Sequence, residues 1–546
     1  MQRFDPLALA ALADQNDMST AAAQGATRRD FLKSGATAGL ILTTAGGLAA
    51  CGSSGSSTIR GAKPKRGGTL TAALSSGGPS DTLDANVQTT QMDVARNAAL
   101  YNSFIALDPN AQPQLVLAEE VSPNHDATVW TIRLRKGILF HDGKEATAED
   151  VLFTFHRIAN PKVASAGAYY IMPFDLGRMR AVDRYTVEIP CHQPYATFAA
   201  EMYCNPFNFS LVPVGYDPKT PIGTGPFKFQ SFTPGTGSIF VRNENYFVSG
   251  RPYLDKLVIN DFADTTSQLN ALASSQADVV NLLSASAAAE ARASGAVTVI
   301  SNSGGYNPFT MRVDVPPFND ARVRQAFRLI VDRAAMRATV FGGHGLIAND
   351  VSSPFDPQYD TSLPQRHQDI EQAKFLLKQA GREGMNITLT TAPLAQGVIE
   401  AAQVFAQQAT SAGVNVSIAQ KTVSDFYGPN YKQWQFAQDN TFYYTYLPQL
   451  TEALLPNAPF NETHWPDKED AARYVGLYNE ATRTLDPAKQ RELAHELQRI
   501  DWERGSYIIT QFLPVINAHV KRVHGVVPSL TGIDLGNYSW DQMWVD

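Results

Sequence analysis

Few residues are spaced for bond-making chemistry. His495-Glu496-Leu497-Gln498-Arg499 begins like the helix that holds zinc in metalloproteases. Arg499 stands where the second histidine must be, and a guanidinium cannot ligate a cation, so the site is not formed. No Gly-x-Ser-x-Gly elbow, Walker lysine loop or strand-borne Gly-x-Gly-x-x-Gly turn occurs. The ten histidines include no pair four residues apart, and His125, His141 and His192 read as turn or surface residues. The three cysteines, Cys51, Cys191 and Cys204, form no Cys-x-x-Cys pair, which argues against a zinc ribbon or a thioredoxin-like site. Cys191 and Cys204 lie thirteen positions apart. They either pair in an oxidising compartment or remain two buried thiols. No catalytic residue, metal or cofactor is expected.

Cys51 belongs to a different chemistry. Thr27-Arg28-Arg29-Asp30-Phe31-Leu32-Lys33 is a twin-arginine pattern, and Ser34 to Ala50 follow without a charge. That stretch is too short and too weakly apolar for a membrane span, which needs about 20 apolar residues. It suits the apolar region of a twin-arginine export signal. Leu48-Ala49-Ala50-Cys51 resembles the bacterial lipobox, in which the cysteine sulfur takes a diacylglycerol. Gly52 to Thr58 then reads as a flexible Ser/Gly tether. The expectation is an exported chain held to a membrane through Cys51, in the periplasm or on the extracytoplasmic face. One acyl chain binds marginally, so a second attachment is expected with it.

With 546 residues, the chain is long enough for two or three packed lobes, and 44 % apolar residues suffice for their cores. Its net charge of -7 disfavours nucleic acid or an anionic membrane surface as partner, since both reward clustered Lys and Arg. Lys63-Pro64-Lys65-Arg66 is a short basic run that suits a linker.

The elements that must position any site alternate between strand and helix. Gly67 to Leu74 reads as a first strand, broken by Ser75 to Ser80. Met92 to Leu107 has helical spacing. Thr128 to Leu134 alternates as a strand, with Val129, Trp130, Ile132 and Leu134 as packing candidates. Thr147 caps a helix carrying Val151, Leu152, Phe155 and Ile158 on one face. Tyr185 to Ile189 is a further strand, and Phe227 to Phe232 pairs with Ser238 to Arg242 around Pro234-Gly235. Helices are expected at Ser267 to Ala273, Asp320 to Val340, Asp369 to Ala380, Gln396 to Ala412 and Asp486 to Arg504. Short strands at Ile387 to Thr391 and Val414 to Ile418 lie between them. This alternation favours α/β layers.

Four blocks in order carry a family likeness. The first is Trp130-Thr131-Ile132-Arg133-Leu134-Arg135-Lys136-Gly137, then Phe140-His141-Asp142-Gly143 and Thr147-Ala148-Glu149-Asp150-Val151. The second is Gly223-Thr224-Gly225-Pro226-Phe227 with Asn243-Glu244-Asn245-Tyr246. The third is Asn319-Asp320-Ala321-Arg322-Val323-Arg324-Gln325-Ala326 with Asp332-Arg333, and the fourth Ala373-Lys374-Phe375-Leu376-Leu377 with Ala380-Gly381. Over roughly residues 66 to 525 the chain resembles family 5 of the bacterial extracellular solute-binding proteins, the dipeptide-, oligopeptide- and nickel-binding components of ABC importers.

The resemblance implies an α/β two-lobed periplasmic-binding-protein clamshell of the class II type, with an extra domain on the first lobe. The expected division is a signal at 1–50, a lipidated tether at 51–66, a discontinuous first lobe at 67–100, 223–304 and 516–546, the extra domain at 101–222, and the second lobe at 305–515. Arg322 and Arg324 read as surface ion pairs or caps, and Gly223 and Gly225 as serving the backbone at a crossing. Peptide-binding members grip a ligand ammonium with an acid in a Trp-x-x-Asp-type segment. The stretch that matches here is Trp434 to Tyr446, which lacks the usual Asp-Tyr-x-x-Pro continuation. Asp439 and Asn440 are its candidate polar groups. Tyr443, Tyr444 and Tyr446 form either an aromatic wall for the ligand or a strand with buried rings. Tyr306, Asn307, Ser75, Ser76 and Gly77 are further candidate cleft residues. The implied function is capture of a small organic solute, a peptide or peptide-like molecule, by a monomer that delivers it to permease and ATPase subunits. A metal chelate such as a nickel complex, a sugar, or a sensory or chaperone-like receptor role is the alternative, and an enzyme is not expected.

Overall fold

The computed structural model describes residues 63–88, 90–456 and 458–546. The twin-arginine run and Cys51 lie outside the described residues. Among the described residues no helix is long and apolar enough to cross a membrane.

Three larger sheets organise the chain. The first has seven strands in the spatial order Val297–Asn302, Pro514–His519, Val279–Val280, Thr69–Leu74, Lys256–Asp261, Gly237–Arg242 and Phe227–Thr233. Thr69–Leu74 runs parallel to Lys256–Asp261 and to Val279–Val280. The carboxyl ends of these three strands therefore share one edge, where Ser75 and Asn281 lie. The second sheet has the order Asn415–Gln420, Asn386–Thr391, Phe436–Gln438, Phe309–Met311 and Tyr507–Ile508. Its first three strands are parallel, so Thr391, Gln420 and Gln438 end on a common edge. Such edges are where open α/β sheets present ligand-binding loops, because side chains and loops there are freed from the ladder. The third sheet, of Ala118–Pro123, Val129–Leu134, Thr186–Pro190 and Arg180–Ala181, is antiparallel and separate from both.

Local chemistry explains these elements. In Val129–Leu134 the alternation buries Trp130, Ile132 and Leu134 while Arg133 stays exposed. Each of these buried side chains contributes about 1.5–3 kcal/mol. Thr147 and Asp150 form a reciprocal capping box that starts helix Ala148–Ala159. Gly223 and Gly225 lie against the backbone at Leu100, and a Cβ on Gly223 would sit 2.1 Å from the Leu100 carbonyl oxygen. Only hydrogen fits there.

Several expectations need correction. The helix expected over 92–107 stops at Leu100, and Ile105–Leu107 is a strand instead. The long helix expected over 320–340 is two, Ala321–Ile330 and Arg333–Phe341. Asp332 accepts from the Ala335 amide and caps the second, so a cap residue inside an unbroken apolar period ends the first. Arg322 pairs with Asp320 at the surface, but Arg324 is fully buried. Its guanidinium bonds Asp467 at 2.7 Å and the carbonyls of Phe318 and Arg504. Cys191 and Cys204 are unpaired thiols. Cys204 Sγ sits 3.4 Å from Thr445 Oγ1, and burial pushes both thiols up to about 12.

Candidate functional site

Two segments cross between the first sheet and the second, and they are bonded to each other. Ser303 donates its backbone N–H to the Leu513 carbonyl at 2.9 Å, and Leu513 returns one to Gly305 at 2.8 Å. Ser303 Oγ also donates to Leu513 O, at 2.9 Å. Strand-end residues of both sheets gather on either side of this short ladder.

On the first-sheet side lies a polar chain. The Ser75 N–H donates to Asn281 Oδ1 at 3.1 Å, and Gln268 Nε2 donates to the same oxygen at 3.1 Å. Asn281 Nδ2 reaches Asp534 Oδ2 at 3.4 Å. With the Asn517 amide oriented to satisfy its neighbours, its nitrogen donates to Asp534 Oδ1 at 2.7 Å. Burial pushes the Asp534 carboxyl up to about 7, against the lowering effect of the Leu282 amide and Asn281. Asp534 opens a run in which Leu535, Gly536, Asn537 and Tyr538 are all left-handed. Three of these lack glycine's freedom, and each costs about 1–2 kcal/mol. Asn537 Oδ1 holds the run by accepting from Ser529 and Thr531, both at 2.6 Å. Ser76 is exposed with φ 88°, while Gly77 lies so close to Asp261 and Asp81 that a Cβ would clash with both.

On the second-sheet side, Phe436–Gln438 runs out into Asp439 and Asn440. Asp439 is buried, and both of its carboxylate oxygens accept hydrogen bonds. Oδ1 accepts from the Tyr427 hydroxyl at 2.6 Å and the Asn440 N–H at 2.7 Å, and Oδ2 from the Tyr431 hydroxyl at 3.0 Å. Burial raises its pKa, and these three donors oppose the rise. Glu462, also buried, accepts from the Tyr507 hydroxyl at 3.0 Å. Burial and the nearby Asp439 charge hold its carboxyl far above the usual range, with Lys432 opposing. Asn440 Nδ2 donates to Asn307 Oδ1 at 3.0 Å, and Asn307 Nδ2 donates to the Gln396 carbonyl at 3.1 Å. Asn307, Asp439 and Asn440 are thus brought together.

The aromatic candidates are dispersed rather than joined in one wall. Tyr306 pairs its backbone with Thr441 but buries its ring between Tyr507 and Phe512. Tyr443 packs on Gly304, where a Cβ would stand 2.2 Å from its ring, and edge-on to Phe355. The Tyr444 hydroxyl points to Glu452 at 3.5 Å, beyond good hydrogen-bond length. Tyr446 belongs to the buried core around Trp465 and Tyr474, donating to Asp501 at 2.6 Å. The segment is loop and short helix, not a strand, because Thr445 ends the extended run and starts helix Tyr446–Gln449.

Sequence reasoning passed over Tyr427, Tyr431, Glu462, Asn281 and Asp534. The nearness in sequence of Tyr427 and Tyr431 to Trp434 and Asp439 was a usable signal. Asp534 and Glu462 had none, since each meets its partners only through tertiary packing.

The profile of the bacterial extracellular solute-binding proteins, family 5 Middle, matches residues 112–464. The glutathione-binding protein GsiB of Escherichia coli O1:K1 is 25 % identical over 464 residues, covering 82 % of this chain and 89 % of its own. Among solved structures, AgaA from A. tumefaciens R10 in complex with agropinic acid superposes with a TM-score of 0.75 at 22 % identity, over 88 % of this chain and 99 % of its own. DppA from Helicobacter pylori with the peptide STSA gives 0.74 at 19 % identity, over 88 % and 98 %. At these identities the structural likeness is one of fold, and that fold is the α/β two-lobed clamshell of periplasmic binding proteins. The chain belongs to the bacterial extracellular solute-binding proteins, family 5.

Proposed function

We infer that the protein is the solute-binding component of an ABC importer, and that it captures a small organic solute, peptide or peptide-like, between its lobes. The observation that carries this is the paired crossing at Ser303–Gly305 and Leu513 with polar strand ends on both sides. A two-strand crossing is narrow enough to bend, and ligand-induced hinge closure needs such a joint. The relatives agree in kind: the GsiB name specifies glutathione, and the DppA complex holds a peptide. Asp439 and Asn440 with Asn307, and the Ser75–Gly77 turn with Asn281, are the residues assigned to the ligand from the two lobes. Tyr306, Tyr443, Tyr444 and Tyr446 then support the site from behind. The chain performs no chemistry itself. A twin-arginine signal exports it, a lipid on Cys51 tethers it, and as a monomer it hands its solute to permease and ATPase subunits.

Native mass spectrometry of the protein purified from its host tests this reading. A stoichiometric organic adduct of a few hundred daltons, rebinding with a Kd of about micromolar order, is the expected result. Failure of peptides, metal chelates and sugars alike to bind, with no adduct, refutes it.

A further inference from the structure

Away from the crossing, the third-sheet region meets the second lobe along a polar seam. The apolar core around Trp130 and Phe198 and the core around Trp465 and Tyr474 are separate clusters. Between them, Ala196 donates its N–H to the Thr482 carbonyl, Thr445 donates its own to Cys204 Sγ, and two glutamates lie fully enclosed. Glu201, on helix Phe198–Cys204, accepts at Oε1 from Tyr195 at 3.0 Å and from Thr451 across the seam at 3.0 Å. Its Oε2 is buried without a partner. Glu452 accepts from the Tyr170 hydroxyl across the seam. Thr451 and Glu452 sit on the π-helical turn Leu450–Leu454, a wide turn of the kind enriched at functional positions.

The groups facing this pair are the hydroxyls of Tyr169, Tyr170, Tyr195, Tyr444 and Tyr478, the ring of Tyr203 and the Cys204 thiol. Among the described residues no cation is among the groups that act on either carboxylate. Two ionised carboxylates enclosed together without a cation are strongly unfavourable, so one or both must carry a proton while the seam is shut.

We propose that Glu201 and Glu452 form a proton latch, so that closing this seam takes up protons and acid favours the closed form. The proposal rests on the lobe closure inferred above, but is read on the protein alone. Burial pushes Glu201 up to about 8 and Glu452 up to about 7, from an ordinary 4.5. A carboxyl raised on closing favours the closed state fully below 4.5, and that advantage is lost as pH rises through 7 to 8. Within that window the closed-to-open ratio falls by up to about tenfold per pH unit for each carboxyl.

Hydrogen exchange of the purified chain tests it, with rates corrected for intrinsic pH dependence and peptides spanning 195–204 and 445–452 compared at pH 5.5 and 8.5. Expected is clear loss of protection at pH 8.5 in the wild type. The E201Q/E452Q variant should keep its protection, and each single variant about half the dependence. Strand Val129–Leu134 should not change. Equal protection of the wild-type seam at both pH values overturns the latch, as does a double variant that loses protection in parallel with wild type. If the double variant does not fold, the wild-type comparison and the single variants still decide. A protein that binds no solute yet shows the pH-dependent seam would refute the importer reading and leave the latch standing.

Discussion

The Tyr427 hydroxyl donates to Asp439 Oδ1 at 2.6 Å, and Tyr431 covers the other oxygen at 3.0 Å. The acid proposed to meet a ligand ammonium is therefore pre-satisfied by two phenols from the loop before it. Two phenolic donors keep a buried carboxylate ionised more readily than burial alone would allow. They also orient its remaining lone pairs. An ammonium arriving there joins an existing network instead of an exposed charge.

If the solute carries an ammonium, Asp439→Ala should weaken its binding by about 2–5 kcal/mol, because one partner of a desolvated pair is removed. Calorimetric titration with the co-purified solute checks this, and unchanged affinity removes Asp439 from the site. Tyr427→Phe should cost about 0.5–1.5 kcal/mol, the net worth of one hydrogen bond.

The same carboxyl predicts a pH dependence. Its pKa is raised by burial, so cation binding is present above that pKa and lost as pH falls through it. This is opposite in sign to the Glu201/Glu452 latch. Titrations of wild type and Asp439→Ala across pH 4 to 8 should separate them: only the wild type should lose affinity toward acid.

How far the sequence reached depends on the range of the interactions involved. Strand Val129–Leu134 and the capped helix Ala148–Ala159 were legible because Trp130, Ile132 and Leu134 alternate locally and Thr147 lies three residues from Asp150. The second family block marked Gly223 and Gly225, whose backbone contacts at Leu100 admit no side chain. Asn307 and Asn440 lay in segments singled out from the sequence, yet their 3.0 Å contact spans 133 residues of chain. No periodicity encodes that contact. The break at Asp332 was missed because apolar residues continue in phase through it, and only the cap geometry reveals two helices. Tyr446 was left between two readings because an aromatic run alone does not say which ring faces the core.

Cys51→Ser should move the chain from the membrane fraction to the soluble extracytoplasmic fraction. Replacement of Arg28 and Arg29 by lysine should hold the precursor inside the cell, since a twin-arginine route is read on both guanidiniums. Fractionation with immunodetection checks both outcomes.

Beside strand Tyr507–Ile508, Asp350 sits in the left-handed region and is enclosed by cations. Arg333 Nη2 bonds both its oxygens at 2.7 Å, Arg366 Nε bonds one at 2.8 Å, and the Ile509 N–H donates at 3.0 Å. Burial raises the carboxyl, but Arg333, Arg366 and Arg328 outweigh it and hold the pKa below the ordinary value. Asp350→Ala leaves buried guanidiniums unpaired and should cost about 3–5 kcal/mol in denaturant unfolding. Its stabilisation is present above the ordinary carboxylate range and is lost as pH falls through the depressed pKa.

Gly304 lies on the crossing itself, and its missing side chain leaves room for Tyr443. A Cβ there would stand 2.2 Å from Tyr443 Cδ2 and 2.9 Å from Cγ, too close for any contact to survive. The obstacle is a ring packed against Phe355 and nearly buried, so it cannot simply swing aside. Gly304→Ala should therefore push Tyr443 and the strand end beyond Asn440 away from the crossing. Solute affinity should fall at least about tenfold, a shift of about 1.4 kcal/mol. Tyr443→Ala alone should lower affinity less, and Gly304→Ala/Tyr443→Ala should recover most of what the glycine change removes, because the clash is gone. A calorimetric double-mutant cycle measures that coupling. Additive losses in the double variant would show that Gly304 does not act through the space it leaves for Tyr443.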